Sequence, residues 1–264
     1  MGELTLAMAG LAVSIATTDQ AVTAVVRERY KHFLSDDPAD WHIDIEIGSL
    51  NGRRPAEVAV SRDGASRRLL VERSDFAARL DLALRTAAVR VIDPDVIAID
   101  SFLRIACSLA LLEADGFVVH AASLIRRGRA YLFCGPSGSG KTTVARLSND
   151  AVVLSDDLSV VTRATGRALA HRTPFRGEPA RAGEAQSAPL VGIYFLKKAE
   201  RHGVEPVGPR RALERFLPNV VFFAREADLT ARVLDISAHL VEQVACFDLA
   251  FRRDPEFWRL IDGA

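Results

Sequence analysis

Cysteine is scarce in this chain, with only Cys107, Cys134 and Cys246 among 264 residues. An odd, widely spaced set in apolar surroundings argues against a disulfide scaffold or a cysteine metal centre, and reads as buried thiols of a reducing compartment. Net charge is lacking as well, because 34 Lys and Arg face 34 Asp and Glu. No overall field then draws the chain to nucleic acid or to an anionic membrane. A long uncharged apolar run is also missing. Val96 to Leu112 is interrupted by Asp100 and Arg104, both costly at a bilayer centre, so no membrane span is expected. Leu4 to Ala16 is apolar, but only Glu3 precedes it where a secretory signal places Lys or Arg, so a cytoplasmic protein is expected.

What is present is a globular composition, 49% hydrophobic and 26% charged, enough to bury a sizeable core. The strongest motif is Gly135-Pro136-Ser137-Gly138-Ser139-Gly140-Lys141-Thr142, with Thr143 after it, entered from the apolar run Ala130 to Cys134. It matches the eight-position phosphate loop in full. A strand delivers such a loop, glycines let backbone N–H groups turn toward a β-phosphate, and a helix follows with its positive end toward the same anion. Lys141 would reach the β- and γ-phosphates as a compact point charge, and the Thr142 hydroxyl would ligate Mg²⁺. A nucleoside triphosphate ligand, ATP with Mg²⁺, is therefore expected.

The organisation reads as two blocks, a small α+β domain over residues 1–92 and a P-loop domain over 93–264. In the first, Glu3 to Thr17 is a β-type run, and Thr17 and Gln20 stand at capping-box spacing before a helix striped by Val22, Val26, Tyr30 and Phe33. Trp41 to Ile47 alternates as a strand does, Arg62-Asp63-Gly64-Ala65 is a hairpin turn, and Ser74 to Ala88 is expected to be a helix. The second block opens at Asp93-Pro94, an N-cap with proline at the first helical position. The helix that follows, to about Ala114, is apolar nearly all round and so should lie buried under the nucleotide-binding sheet or between the blocks. After it come a hairpin turning at Arg126 to Arg129, the phosphate loop, and strands over Val152 to Ser155, Leu158 to Val161, Leu169 to His171, Leu190 to Leu196 and Val204 to Val207. Arg176 to Ala188 has no hydrophobic period and reads as a surface loop near the site. Helices over Pro209 to Phe216, Leu229 to Val241 and Pro255 to Ile261, the last capped by Asp254, close the chain around a strand from Ala245 to Phe251.

Asp156 and Asp157 form the second chemical signal, an apolar run ending in two carboxylates. One suffices to hold a hydrated Mg²⁺, and neighbours at a strand end point to opposite sides, so the other can face an acceptor hydroxyl and take its proton. His120 sits on a strand expected beside that of the phosphate loop, which could bring its imidazole near the γ-phosphate. A lone histidine in an apolar run is more often a satisfied core residue.

Val118-Val119-His120-Ala121-Ala122, the phosphate loop, and Ser155-Asp156-Asp157 together resemble the catalytic domain of the HPr kinase/phosphorylase family and its P-loop relatives, over about Asp93 to Ala264. The resemblance implies a phosphoenolpyruvate-carboxykinase-like P-loop fold, hence an α/β protein, α+β overall. It also implies phosphorylation of a serine hydroxyl, with Lys141 and Thr142 on the triphosphate and Mg²⁺, Asp157 as acid/base, Asp156 on the metal and His120 in the active site. Chains with such an N-terminal block are similar to HPr-kinase-like enzymes of peptide-modification clusters. The pattern departs from the parent family at several points. Thr173-Pro174-Phe175 precedes Arg176-Gly177 where an acidic metal ligand is usual, leaving Glu178 as the substitute candidate. Lys197, Lys198, Arg210 and Arg211 are unranked alternatives for an arginine-finger-like charge.

The expectation is a kinase that moves the γ-phosphoryl group of ATP to a hydroxyl of a peptide, a protein or a small metabolite. No nucleic acid or membrane partner is expected, and homo-oligomer formation stays open. The alternative is a nucleotide-binding regulatory or scaffold ATPase without an acceptor. Carboxykinase-type decarboxylating transfer lacks a visible second metal site.

Overall fold

A computed structural model describes residues 2–64, 67–164, 166–175 and 187–263, which form a mixed α/β protein with two sheets and six helices. Glu178, Arg176, Gly177 and most of the expected surface loop lie outside the described residues. Two compact units divide the chain, Met1–Glu113 with Phe222–Ala231, and Ala114–Val221 with Arg232–Ala264. The boundary expected at residue 92 falls at one end of a long helix, and the units divide at its other end.

The first unit holds β1 (Gly2–Met8), β2 (Leu11–Thr17), α1 (Gln20–Tyr30), β3 (Leu34–Ser35), β4 (Trp41–Ile47), β5 (Ala59–Arg62), β6 (Arg68–Arg73), β7 (Phe76–Asp81), β8 (Thr86–Val91) and α2 (Val96–Glu113). Their sheet runs β3-β1-β2-β4-β8-β7-β6-β5. The run from Glu3 to Thr17 is thus a hairpin, broken at Ala9 and Gly10, both at positive φ. Asp19 rather than Thr17 caps α1, its carboxylate accepting from Ala21 and Val22 N–H at 2.8 and 3.0 Å. The helix expected over Ser74 to Ala88 is two strands. Its alanines, leucines and arginines favour a helix intrinsically, but Phe76, Ala78 and Leu80 bury on alternate positions against the sheet, and Arg85 turns the chain at φ 55°. Tertiary burial overrides a weak propensity there. Helix α2 starts later than Asp93-Pro94, where Asp95 accepts from Ile97 N–H at 3.1 Å, and it packs on α1, β7 and β8. Asp100, buried within α2, accepts from Tyr30 Oη at 2.7 Å and pairs with Arg29 and Arg104, so the polar group in this apolar helix is satisfied.

The second unit contains β9 (Gly116–Arg126), β10 (Arg129–Cys134), α3 (Lys141–Leu147), β11 (Val152–Ser155), β12 (Leu158–Ala164), β13 (Arg167–His171), β14 (Ser187–Lys198), β15 (Gly203–Pro206), α4 (Pro209–Phe216), β16 (Val220–Val221), most of α5 (Ala227–Gln243), β17 (Ala245–Phe251) and α6 (Phe257–Asp262). Strands β9, β12, β13, β14 and β10 pair in turn, and β10 returns to β9, closing a circuit. β9 and β10 meet at a two-residue turn, Arg127 and Gly128, at φ 52° and 74°, the handedness a tight hairpin requires. Strands β10, β14 and β17 run parallel, so the segments after Cys134, Lys198 and Phe251 emerge on the same side. Beneath them Tyr131, Phe133, Tyr194, Phe251, Phe257 and Trp258 form an aromatic core, with Phe133 stacked on Tyr194 at 5.5 Å between centroids. Arg126 holds α6 in place, bonding Asp150 and Asp262 while its guanidinium lies 4.8 Å over the Trp258 ring.

Candidate functional site

A cleft of about 600 Å³ opens in the second unit at the carboxyl ends of the parallel strands, the usual place for a ligand in such sheets. One wall is the glycine-rich turn between β10 and α3, contributing Ser137, Gly138, Gly140, Lys141, Thr142 and Thr143. Gly138 and Gly140 adopt φ of 76° and 113°, and a Cβ on Gly140 would stand 2.5 Å from the Phe251 ring, so this backbone and this packing require glycine. Ser139 N–H donates to Pro136 C=O at 3.1 Å, tightening the turn, and Gly135 N–H donates to Asn219 Oδ1 at 3.2 Å. Asn219 also donates to Arg215 C=O at 2.8 Å, fastening the loop's entrance to α4. Lys141 is buried and its Nζ donates to the carbonyls of Gly135 and Pro136 at 2.8 and 3.2 Å. Burial lowers the Lys141 pKa, while Asp157 pulls it back up.

The opposite wall carries His120, Asp156 and Asp157. β9 and β12 are in register with His120 opposite Leu158, and buried Ser159 locks them by donating to Ala121 C=O at 2.9 Å and bonding Ser123 at 2.8 Å. This register brings His120 Nε2 to 3.1 Å from Asp157 Oδ1, both side chains being partly exposed. The two aspartates are not strand residues. β11 ends at Ser155 and β12 begins at Leu158, so Asp156 and Asp157 occupy a bend, held by Asp157 N–H donating to Ser155 Oγ at 3.2 Å, and both line the cleft.

A third wall, Lys198, Ala199, Phe251, Arg252 and Arg253, comes from the ends of β14 and β17. Of the four basic candidates, Lys198 alone lines the cleft. Lys197 alternates to the other face of β14, Arg210 pairs with Glu214 at 3.4 Å, and Arg211 lies 3.8 Å from Asp248. Gly135, Pro136 and Ser139 shape the loop from behind without lining the cleft. Phe251, Arg252, Arg253 and Asn219 escape a sequence reading. The doubled arginine after an apolar strand and before Pro255 is the signal available for Arg252 and Arg253, and the parallel pairing of β17 with β14, itself beside β10, that gives it meaning is not local information.

Chemically, the cleft combines a glycine-formed turn with a lysine, a hydroxyl and carboxylate set suited to a hard cation, and a histidine–carboxylate pair open to solvent. A family model described as SynChlorMet cassette protein ScmC matches residues 93–264, more than half of the chain and all of this cleft. The chain belongs to that family. A comparison with curated proteins finds none that matches.

Proposed function

We propose that the protein is a cytoplasmic ATP-dependent kinase that transfers the γ-phosphoryl group to a hydroxyl of a peptide, a protein or a small metabolite. The observation that carries this reading is the His120–Asp157 pair at 3.1 Å across the cleft from Lys141 and the glycine turn. Plain nucleotide binding leaves that pair without a purpose, whereas an acceptor hydroxyl needs a base. The resemblance to the HPr kinase/phosphorylase family supports the same assignment.

The residues fit both ligands. The positive φ of Gly138 and Gly140 leaves backbone uncovered by side chains, as phosphate oxygens require, and Thr142 with Asp156 offers only hard oxygen donors, as Mg²⁺ prefers. When bound, Mg²⁺ neutralises charge on the phosphates and orients them. Lys141 binds the β- and γ-phosphates. Asp157 accepts the acceptor's hydroxyl proton as its oxygen bonds to the γ-phosphorus and the bond to the β–γ bridging oxygen breaks, releasing ADP. His120 holds Asp157 in place and shares the proton. The test is γ-labelled ATP offered with mixed peptides, proteins and metabolites that bear hydroxyls. Label recovered in an acceptor supports the kinase, and ATP turnover yielding only free phosphate points to the acceptor-less ATPase instead.

A further inference from the structure

We propose that Lys198 and Arg253 supply the positive charge that the γ-phosphoryl group meets during transfer. The inference rests on the kinase reading above and adds two residues to it. Of the chain's lysines, at positions 31, 141, 197 and 198, Lys141 and Lys198 line this cleft. Arg253 joins them from the segment after β17, where Lys198 pairs in register with Phe251, so both cations leave adjacent parallel strands within two residues of that pair.

Their neighbours show which charges are already committed. Arg252 also lines the cleft, but its guanidinium is bound to Asp254 and lies 3.4 Å from Glu256. Lys198 and Arg253 are exposed and make no ion pair among the described residues. The turn that carries Arg253 is held by hydrogen bonds from both flanks. Ala199 N–H donates to Phe251 C=O at 3.0 Å, Asp254 N–H to Arg252 C=O at 2.9 Å, and Glu256 N–H to Asp254 Oδ1 at 3.0 Å. His202 Nε2 bonds the same Asp254 oxygen at 2.8 Å. These bonds fix the backbone from which Arg253 reaches the cleft.

Charge balance says what the two cations face. A metal-bound triphosphate keeps net negative charge, Asp157 places a carboxylate beside it, and Lys141 is the cation that the glycine wall contributes. Phosphoryl transfer spreads further charge over the equatorial oxygens, where a positioned cation contributes most. Among the described residues that line the cleft, Lys198 and Arg253 are, beside Lys141, the cations without an ion pair.

Mg·ATP consumption, measured with the mixed acceptors, tests the proposal. Arg253→Ala is expected to lower turnover by about 10³-fold, and Lys198→Ala by about 10-fold or more, with the Mg·ATP dissociation constant moving by less than about tenfold. Added guanidinium should restore part of the activity of Arg253→Ala but none of Lys141→Ala, and Arg253→Lys should retain part of it. A purely structural role would give no rescue. Wild-type turnover in Arg253→Ala, or a loss that guanidinium and Arg253→Lys both fail to repair, overturns the proposal while the kinase reading stands. A wild-type protein inert toward Mg·ATP removes both.

Discussion

His120 Nε2 stands 3.1 Å from Asp157 Oδ1, across the junction of β9 and β12. The β9–β12 register sets this distance, so the two residues should act as one unit. His120→Ala is expected to slow γ-phosphoryl transfer by about 10²-fold, and the double variant with Asp157→Asn should be no slower than Asp157→Asn alone. Single-turnover kinetics of the three variants check it. Additive losses would mean that the residues serve separate steps.

Lys141 donates to the carbonyls of Gly135 and Pro136 from a buried position, so its charge is held at the loop rather than in solvent. Replacing it with alanine should abolish measurable Mg·ATP binding by calorimetry. Lys141→Met, which keeps most of the volume, should behave alike. Retained affinity in the methionine variant would show that packing, not charge, was lost.

A methyl group on Gly140 would meet the Phe251 ring at 2.5 Å from a backbone at φ 113°. Gly140→Ala is expected to cost roughly 2–4 kcal/mol of stability and to weaken nucleotide binding. Shortening the ring with Phe251→Leu should recover part of that loss, because the clash goes and the strained backbone remains. A denaturant double-mutant cycle with no coupling between the two positions would refute the contact.

Burial lowers the His171 pKa from 6.5 to about 4, its Nε2 lying 2.7 Å from Thr162 Oγ1. The unfolded chain then binds the proton more readily than the folded one. The stability from the neutral ring is complete above pH 6.5 and is lost as pH falls toward 4, by at most roughly 3 kcal/mol. Unfolding midpoints from pH 7 to 4 should fall less steeply in His171→Gln than in the wild type. Parallel curves would contradict the assignment.

Legibility in the sequence followed how local each determinant is. The glycine turn, the strand before it and the Arg126 to Arg129 hairpin were readable because glycine placement and a short apolar run fix them within a few residues. β17 and α4 matched their expected spans for the same reason. Ser74 to Ala88 misled, since alanine and leucine favour helices until a sheet offers alternate burial, and that sheet is assembled from strands far away in sequence. The cleft divides likewise. Its glycine and acid walls came from motifs, whereas Arg252 and Arg253 depend on β14 lying between β10 and β17. That Asp156 and Asp157 both line the cleft goes with the bend they occupy between β11 and β12, which the apolar run before them does not announce.

The most direct test is phosphorus NMR of Mg·ATP with the acceptor mixture, run on the wild type, Asp157→Asn and Asp156→Asn across a Mg²⁺ titration. The wild type should convert the γ-phosphate signal into that of a phosphorylated acceptor, and Asp157→Asn should bind Mg·ATP with near-native affinity yet transfer about 10²–10⁴-fold more slowly, since an amide cannot take the acceptor's proton. Asp156→Asn should instead shift the Mg²⁺ requirement upward. A γ-phosphate signal that stays intact with the wild type, or that turns only into free phosphate, would contradict the kinase assignment, and full transfer by Asp157→Asn would contradict the role of Asp157 as base.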